Sequence, residues 1–187
     1  MKFEAPNGRA TVTAAVFDTE HKNVQSSLIV GADTLVVFNA QRTKGFETDF
    51  EVEPIDRWKI FGNLTLQDAE LTDNPSQPAA VGKHPQGVPE RIFNLWTTYD
   101  FAIGPIDGFR VGGGVQARDL IYADALNTQA VPGWAVWDAF FGYYQPTWDI
   151  AAGIRNITDA TYYITANGTG GFAGDPRTFY VKADYHF

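Results

Sequence analysis

The sequence predicts an all-β fold: an antiparallel meander of about nine strands. Three observations support this prediction. Apolar and polar residues alternate by twos, short turn-rich joints alternate with long connections, and aromatic residues make up 14% of the 187 residues. Alternation by twos is typical of strands with two different faces. No segment shows a comparably clear helical period.

In chain order, we place strands at residues 1–5, 9–20, 35–52, 57–71, 89–102, 109–122, 133–145, 148–162 and 177–187. The alternation is plain in FETDFEV (46–52), where three acids separate Phe, Thr, Phe and Val. It recurs in RTFYVKADYHF (177–187). One face of each strand should meet lipid and the other the lumen. The residues expected to face lipid are Phe109, Val111, Trp148, Ile150, Ile154, Phe179 and Val181, and those expected to face the lumen are Arg110, Gln116, Arg155, Lys182 and Asp184.

The joints between these strands fall into two classes. The short ones are PNG (6–8), PIDR (54–57), IGPIDG (103–108) and QPT (145–147), all rich in turn residues. The long ones cover residues 21–34, 72–88, 123–132 and 163–176, although the stretch NVQSSLIVGADTLVV (23–37) is compatible with either loop or strand. Short and long joints alternate along the chain, which places turns at one end of the sheet and loops at the other. Outer-membrane barrels are built this way, whereas soluble sandwiches do not sort their loops by end.

Strand length and aromatic placement agree with a membrane barrel. Eleven residues at about 3.4 Å each, tilted near 45°, cover roughly 25 Å, the height of the apolar band of such a barrel. The aromatic residues divide between the two strand ends, as expected for two interfacial girdles. The short-turn set is Trp58, Phe101, Phe109, Trp148 and Phe187, and the long-loop set is Phe17, Tyr122, Trp134, Tyr162, Tyr163 and Phe179.

Composition argues against several other functions. A net charge of −8 is unsuited to nucleic acid, and the lack of cysteine excludes disulfides, thiolate metal sites and thiol nucleophiles. The serines and the three histidines form no catalytic or metal-ligand pattern, so we expect neither an enzyme nor a resident cofactor or metal. The GGG at 112–114 lacks the lysine of a phosphate loop. We interpret it as strand glycine that leaves room for a neighbouring aromatic ring or for a close backbone.

Several motifs resemble the C-terminal part of TonB-dependent siderophore receptors. They are VFDTEHKNV, TKGFETDFEVEPIDRWKIFGNLTLQDAEL, VPERIFNLWTTYDF, VPGWAVWDAFFGYY, IRNITDATYY and GDPRTFYVKADYHF. The resemblance covers nearly the whole chain, and the pair RNITDATYY and DPRTFYV is its most specific part. It implies a barrel of about 22 strands around a plug domain, which imports ferric siderophores across the bacterial outer membrane. Energy would come from TonB, through a box near the receptor's N-terminus.

The resemblance also implies what this chain lacks. Residues 1–187 are expected to form the C-terminal segment of the barrel domain, an open curved wall without plug domain, TonB box or signal peptide. Such a fragment should not transport by itself. Its expected partners are the ferric siderophore, outer-membrane lipid and the barrel-assembly machinery, with TonB reached only through the missing region. Phe187 matches the terminal aromatic of the family's assembly signal, with Phe179, Val181, Ala183 and Tyr185 behind it on the same face.

Ligand contacts are expected in the long loops and the upper lumen. Arginine and aromatic side chains suit anionic or catecholate iron chelates through charge, hydrogen bonds and stacking. The candidates are His84, Arg118, Tyr122, Tyr163 and the NGTGGF stretch at 167–172, which contributes Asn167 and Phe172.

Two other functions remain open from sequence alone. A small soluble barrel could hold an apolar ligand inside, as lipocalins do. Self-assembly of the fragment could also produce a passive porin-like pore. A soluble barrel would need a polar exterior, so the lipid-facing expectation separates it from the receptor segment.

Overall fold

The computed structural model describes residues 1–30, 33–168 and 170–187. Thirteen strands lie in this part of the chain. They are β1 (Lys2–Glu4), β2 (Ala10–Val30), β3 (Asp33–Val52), β4 (Trp58–Asp73), β5 (Arg91–Ile103), β6 (Ile106–Arg118), β7 (Ile121–Tyr122), β8 (Ala130–Val131), β9 (Trp134–Tyr144), β10 (Trp148–Arg155), β11 (Tyr163–Asn167), β12 (Gly170–Ala173) and β13 (Thr178–Tyr185).

Nine strands form one antiparallel sheet in the order β1-β2-β3-β4-β5-β6-β9-β10-β13. The predicted meander of about nine strands is therefore confirmed. The sheet is open, with β1 and β13 at its two edges. The remaining strands form two small hairpins, β7–β8 and β11–β12, inside long connections. Among the described residues, no helix has the length and apolarity needed to cross a membrane.

The strand register divides the sheet into an apolar face and a polar face. On β10 and β13, Ile150 lies opposite Ala183, and Ile154 lies opposite Phe179. The neighbouring positions carry Asp149 and Asp184, directly opposite each other on the other face. The same parity holds from β2 to β13 between the register shifts at His21/Val24, Ala40/Gln41 and Phe101/Ile103, and over these residues it confirms the alternation predicted from sequence.

The apolar face is exposed although its side chains are hydrophobic. Val181 is 77% exposed and Val16 is 84% exposed. Water disfavours so large a contiguous apolar surface, whereas a bilayer matches it. The face includes Val12, Val16, Phe46, Phe50, Ile60, Leu64, Leu95, Val111, Phe141, Ile150, Ile154 and Val181.

Aromatic rings form a continuous band on this face at the short-turn end. Phe101 stacks on Phe109 with ring centroids 5.7 Å apart, and Phe109 contacts Tyr143 at 4.7 Å. Tyr143 in turn meets Trp148 edge-on at 5.4 Å. Amphipathic rings at one strand end are expected at a membrane interface, so this band fits the predicted short-turn girdle.

The prediction of the long-loop girdle was wrong for two of its aromatic residues, Phe17 and Trp134. Phe17 lies opposite Gly45 and Trp134 lies opposite Arg118, and both pairs are on the polar face. Position along a strand does not set the side of the sheet; residue parity does. These two rings therefore point away from the apolar face.

The predicted loop at 21–34 is wrong over its described residues. β2 and β3 stay paired out to Val30 and Asp33, with a bulge between His21 and Val24. The segments VQSSLIV (24–30) and TLVVF (34–38) are rich in β-branched and apolar residues, which favour strand pairing over loop. Gly31 and Ala32, also inside the predicted loop, lie outside the described residues.

Several strand ends also differ from prediction. β10 stops at Arg155, because Asn156 adopts the left-handed conformation (φ 51°) and starts a turn. β13 stops at Tyr185, so Phe187 lies beyond the strand, although the His186 amide still donates to the Thr147 carbonyl at 2.9 Å. β6 runs from Ile106 to Arg118, so it begins inside the predicted joint 103–108 and ends before the predicted residue 122. The other three short joints and the long connections after β4 and β6 lie within a few residues of their predicted positions, whereas the connection after β10 starts at 156 instead of 163.

The buried core of the described residues lies mainly beneath the long connections. Ile121 and Ala80 are fully buried, and Ala123 and Leu71 are nearly so. The long connections pack over these apolar residues. The residues predicted to contact the ligand lie in the same connections or at the strand ends beside them.

Candidate ligand-binding surface

Three long connections converge at one end of the sheet. They are residues 74–90, 119–133 and 156–177, between the main strands. The Gly87 amide donates to the Tyr122 carbonyl at 2.9 Å, which ties the first connection to the second. The Gln86 side chain donates to the Ala166 carbonyl at 3.5 Å, which ties the first to the third. We call this assembly the loop surface.

His84 is held firmly in the first connection. Its ring stacks on Tyr122 with centroids 5.9 Å apart and planes 18° apart. Its Nε2 lies 3.4 Å from a Glu90 carboxylate oxygen. The Asn127 side chain clamps the His84 backbone, accepting from its N–H and donating to its carbonyl, each at 2.9 Å.

A cavity of about 180 Å³ opens beside this stack. His84, Tyr122, Glu90 and the Arg91–Asp119 ion pair contribute to its walls. Arg91 Nε donates to Asp119 at 2.5 Å, so this pair brings both charges to the wall. The cavity thus combines an aromatic wall with groups that can donate and accept hydrogen bonds, as small-ligand sites do.

Arg118 forms a second cluster at the end of β6. Its Nη2 donates to the Tyr163 carbonyl at 2.5 Å, and its guanidinium carbon lies 5.5 Å from the centre of the Trp134 ring. The Trp134 indole donates to the same carbonyl at 3.1 Å and contacts the Tyr162 ring at 4.8 Å. The Arg118 Nε is buried and has no hydrogen-bond partner within the described residues.

The last two candidates lie on the β11–β12 hairpin. Asn167 lies opposite Gly170, and Phe172 lies opposite Thr165. Phe172 is 72% exposed, so its ring projects from the loop surface. Thr169, within the same predicted stretch, lies outside the described residues.

The second connection is shaped by an Asp-based turn. Asp124 accepts hydrogen bonds from the Thr128 amide at 2.8 Å, the Thr128 hydroxyl at 2.7 Å and the Gln129 amide at 2.9 Å. The hydroxyl, followed by these amides, lowers the pKa of Asp124 below its ordinary value of 3.8. This turn positions Asn127, whose φ is 59°, for its clamp on His84.

The six predicted contact residues thus fall into three neighbouring groups: His84 with Tyr122, Arg118 with Tyr163, and Asn167 with Phe172. Sequence reasoning missed Asn127, and it assigned Trp134 to the girdle. The turn residues in DALNTQ (124–129) were a usable signal for Asn127, because Asn and Asp favour turns and left-handed backbone. The side of the sheet on which Trp134 lies depends on its pairing with Arg118, which could not be predicted from the sequence.

The chain as a whole matches a known protein family. Residues 2–157 match the model of the TonB dependent receptor-like β-barrel. This match covers most of the chain and agrees with the open meander and its exposed apolar face.

The chain belongs to the TonB-dependent receptor β-barrel family.

Several named relatives of this chain are siderophore receptors. It is 29% identical over 195 residues to the ferric-pyoverdine M114 receptor PbuA of Pseudomonas sp., covering 99% of this chain and 24% of that protein. The crystal structure of the siderophore receptor PiuA from Acinetobacter baumannii matches with a TM-score of 0.83 and 28% identity, covering 97% of this chain and 26% of that one. The closed form of the ferric-catecholate import receptor Fiu from Escherichia coli K12 matches with a TM-score of 0.76 and 26% identity, covering 100% of this chain and 26% of that one.

The chain spans about a quarter of the length of these relatives. The matches are to outer-membrane barrels, so the apolar face is the lipid-facing side and the polar face the lumenal side. The open sheet and the family match do not support the lipocalin-like alternative. The names of these relatives describe receptors, not enzymes.

Proposed function

We propose that residues 1–187, here called the receptor segment, form part of an outer-membrane receptor that imports ferric siderophores. One observation carries the proposal: the segment aligns over 97% of its length with the siderophore receptor PiuA, at 28% identity and a TM-score of 0.83. The segment contributes about a quarter of such a receptor, so the rest of the barrel must complete the pore.

The loop surface is the proposed binding region for the ferric chelate. Siderophore complexes present oxygen-rich, often anionic surfaces, which suit charge-assisted hydrogen bonds and aromatic contacts. Arg118 supplies a cation beside Trp134, and His84 and Tyr122 supply a stacked pair at the cavity wall. Phe172 and Asn167 would close over the ligand from the β11–β12 hairpin. No resident cofactor is proposed, because the iron chelate is cargo.

The partners follow from the same proposal. The lipid-facing side meets outer-membrane lipid, and the C-terminal residues Phe179, Val181, Tyr185 and Phe187 act as the signal for the barrel-assembly machinery. TonB would act through a region outside this segment.

A chimera tests the proposed function. The corresponding quarter of PiuA is replaced by residues 1–187, and this PiuA chimera is produced in a bacterial strain that lacks its own siderophore receptors. We expect uptake of radioactive iron from at least one ferric chelate in a panel of catecholates, hydroxamates and carboxylates. A chimera that reaches the cell surface, as judged by antibody labelling, yet takes up iron from none of them would contradict the proposal.

A matched arginine pair tests the loop surface within that chimera. Arg118 and Arg110 both lie on β6 on the lumenal side, each over an aromatic ring, but at opposite strand ends. Arg118→Ala should weaken binding of the transported chelate about tenfold, the equivalent of one charge-assisted hydrogen bond. Arg110→Ala, near the short turns, should leave affinity within about twofold. Equal losses would remove the loop surface from the proposal.

A further inference from the structure

Two aromatic side chains lie side by side on the lumenal side, away from the loop surface. Trp96 on β5 and Phe140 on β9 have ring centroids 6.0 Å apart and planes only 8° apart. They belong to different strands, separated by β6. We call this pair the aromatic platform.

The glycines of β6 explain why these rings lie parallel. A Cβ added to Gly114 would lie 2.4 Å from Trp96 Cε3, and one added to Gly112 would lie 2.3 Å from Phe140 Cε1. Each ring therefore covers a glycine, and any larger residue would displace it. This confirms the interpretation of the GGG at 112–114 as space for neighbouring aromatic rings. Both rings are half-buried, which fits one ring face on the sheet and the other facing the lumen.

A polar rim borders the platform. A cavity of about 380 Å³ beside Trp96 is lined by Phe61, Asn63, Asn94, Gln116 and Asp138. The side-chain NH₂ of Asn94 donates to the side-chain oxygen of Asn63 at 2.8 Å. Asn94 keeps its side-chain oxygen and Asn63 its side-chain NH₂, so the pair can both accept hydrogen bonds from a ligand and donate to it. The main-chain N–H of Asn156 donates to the Asp138 carboxylate at 2.8 Å.

We propose that the aromatic platform and its amide rim form a subsite for a planar aromatic group of the iron chelate inside the lumen. An aryl ring bearing oxygen substituents would stack on Trp96 and Phe140 while its oxygens meet Asn63, Asn94 and Gln116. A chelate without aromatic rings would gain nothing from the platform. This inference rests on the proposed function and adds to it the chemical class of the substrate.

The lumenal position admits one competing occupant, a polypeptide segment packed inside the complete barrel. The two occupants predict different behaviour. A packing surface affects every chelate equally when it is damaged, whereas an aryl subsite discriminates between aryl and non-aryl chelates. The platform combines an aromatic floor with a rim of three neutral amides and one carboxylate, that of Asp138, which already accepts from the Asn156 main-chain N–H. Aromatic walls with a few polar groups are typical of small-ligand sites.

The test measures binding by the purified PiuA chimera in detergent, using calorimetry. The probes are gallium tricatecholate, which carries aryl rings, and gallium trihydroxamate, which does not. We expect Trp96→Ala and Phe140→Ala each to weaken tricatecholate binding about tenfold, as loss of one stacking partner does, and to leave trihydroxamate binding within about twofold. Trp96→Phe should retain most of the affinity. Phe141→Ala, one residue along on the lipid-facing side, is the matched control and should change neither probe.

The outcomes separate this inference from the proposed function. A chimera that binds tricatecholate through Trp96 yet transports no iron supports the subsite and contradicts the proposed function. Transport that is indifferent to Trp96 and Phe140 supports the proposed function and overturns the subsite. Equal losses for both probes, or no tricatecholate binding at all, also overturn it. If Trp96→Ala fails to fold, as shown by lost heat-modifiability on gels, Trp96→Phe and Asn94→Ala carry the test, and Asn94→Ala should weaken tricatecholate alone.

Discussion

The side-chain amide of Asn156 donates to the main-chain carbonyl of Asp175 at 3.0 Å. This bond joins the turn after β10 to the segment that leads into β13. A second link follows, because the Arg177 amide donates to the Asp159 carboxylate at 2.9 Å. The two most specific motifs of the sequence, RNITDATYY and DPRTFYV, are thus joined to each other by two hydrogen bonds.

Replacing Asn156 should destabilise this end of the barrel. Asn156 is 1% exposed, and its side chain also donates to the Ala160 carbonyl and accepts from the Ala160 amide, each at 2.9 Å. Asn156→Ala should cost about 3 kcal/mol, from three lost bonds and a strained left-handed backbone. Unfolding of the PiuA chimera in denaturant measures it.

Asn23 provides the control for that backbone contribution. Its φ of 60° matches that of Asn156, but it is exposed on the β2–β3 hairpin. Asn23→Ala should cost only about 1 kcal/mol. Similar costs at the two positions would show that the hydrogen bonds of Asn156 contribute nothing.

The two faces of β13 should respond differently to charge. Val181 lies opposite Ala152 on the lipid-facing side, and Lys182 lies opposite Ala151 on the lumenal side. Val181→Arg should cost roughly 2–4 kcal/mol near the bilayer midplane, and Lys182→Arg close to nothing. Folding of the PiuA chimera into lipid vesicles compares them, and equal costs would reverse the assignment of faces.

The tight glycine of β6 should not accept a side chain. A Cβ at Gly114 would lie 2.3 Å from the Leu95 carbonyl oxygen, which the sheet holds in place, whereas Gly170 has nothing within 4 Å. Gly114→Ala should cost about 1–3 kcal/mol through overpacking and should shift the Trp96 fluorescence. Gly170→Ala should be neutral. Tolerance of both would mean that β6 can move away from Trp96.

Acid should loosen the second long connection. The pKa of Asp124 is lowered in the folded state, so its hydrogen bonds stabilise the turn above its ordinary pKa of 3.8. That contribution is lost as pH falls through the lowered pKa, because the protonated carboxyl is a poorer acceptor. Hydrogen exchange of the Thr128 and Gln129 amides should accelerate relative to neighbouring amides over that range. Asp124→Asn should remove the pH dependence, and an unchanged profile would exclude Asp124 as its source.

The terminal aromatic should act in assembly and not in packing. Phe187 is fully exposed, and its ring meets the Tyr185 ring edge-on with centroids 5.1 Å apart. Phe187→Ala should reduce insertion of the PiuA chimera into the outer membrane of living cells, with refolding in detergent unchanged. Poor refolding in detergent as well, with a loss of about 3–5 kcal/mol, would instead mean that the ring is needed for packing.

The local pattern of apolar and polar residues predicted most of the sheet. It failed where pairing between two strands decides how far each strand extends. The alternation of Phe46, Phe50, Ile150 and Val181 fixed strands, faces and strand number, because side-chain direction in a strand has period two. Turn residues located the short joints for a similarly local reason. The loop predicted at 21–34 failed, because β2 and β3 pair with each other there, from His21 opposite Gln41 to Val30 opposite Asp33. Such pairing energy is not visible in either strand alone.

The sequence by itself determined the all-β meander, the exposed apolar face, the long-loop end and the resemblance to siderophore receptors. Each depends on residue parity, turn chemistry or motif order. Only the tertiary structure decided that Asn127 clamps His84, that Asn156 holds Asp175, and that Trp96 and Phe140 meet over the glycines of β6. These contacts join residues from different strands and loops. Their geometry depends on register and loop convergence, which are set by cross-strand hydrogen bonding along the whole sheet and not by any one segment.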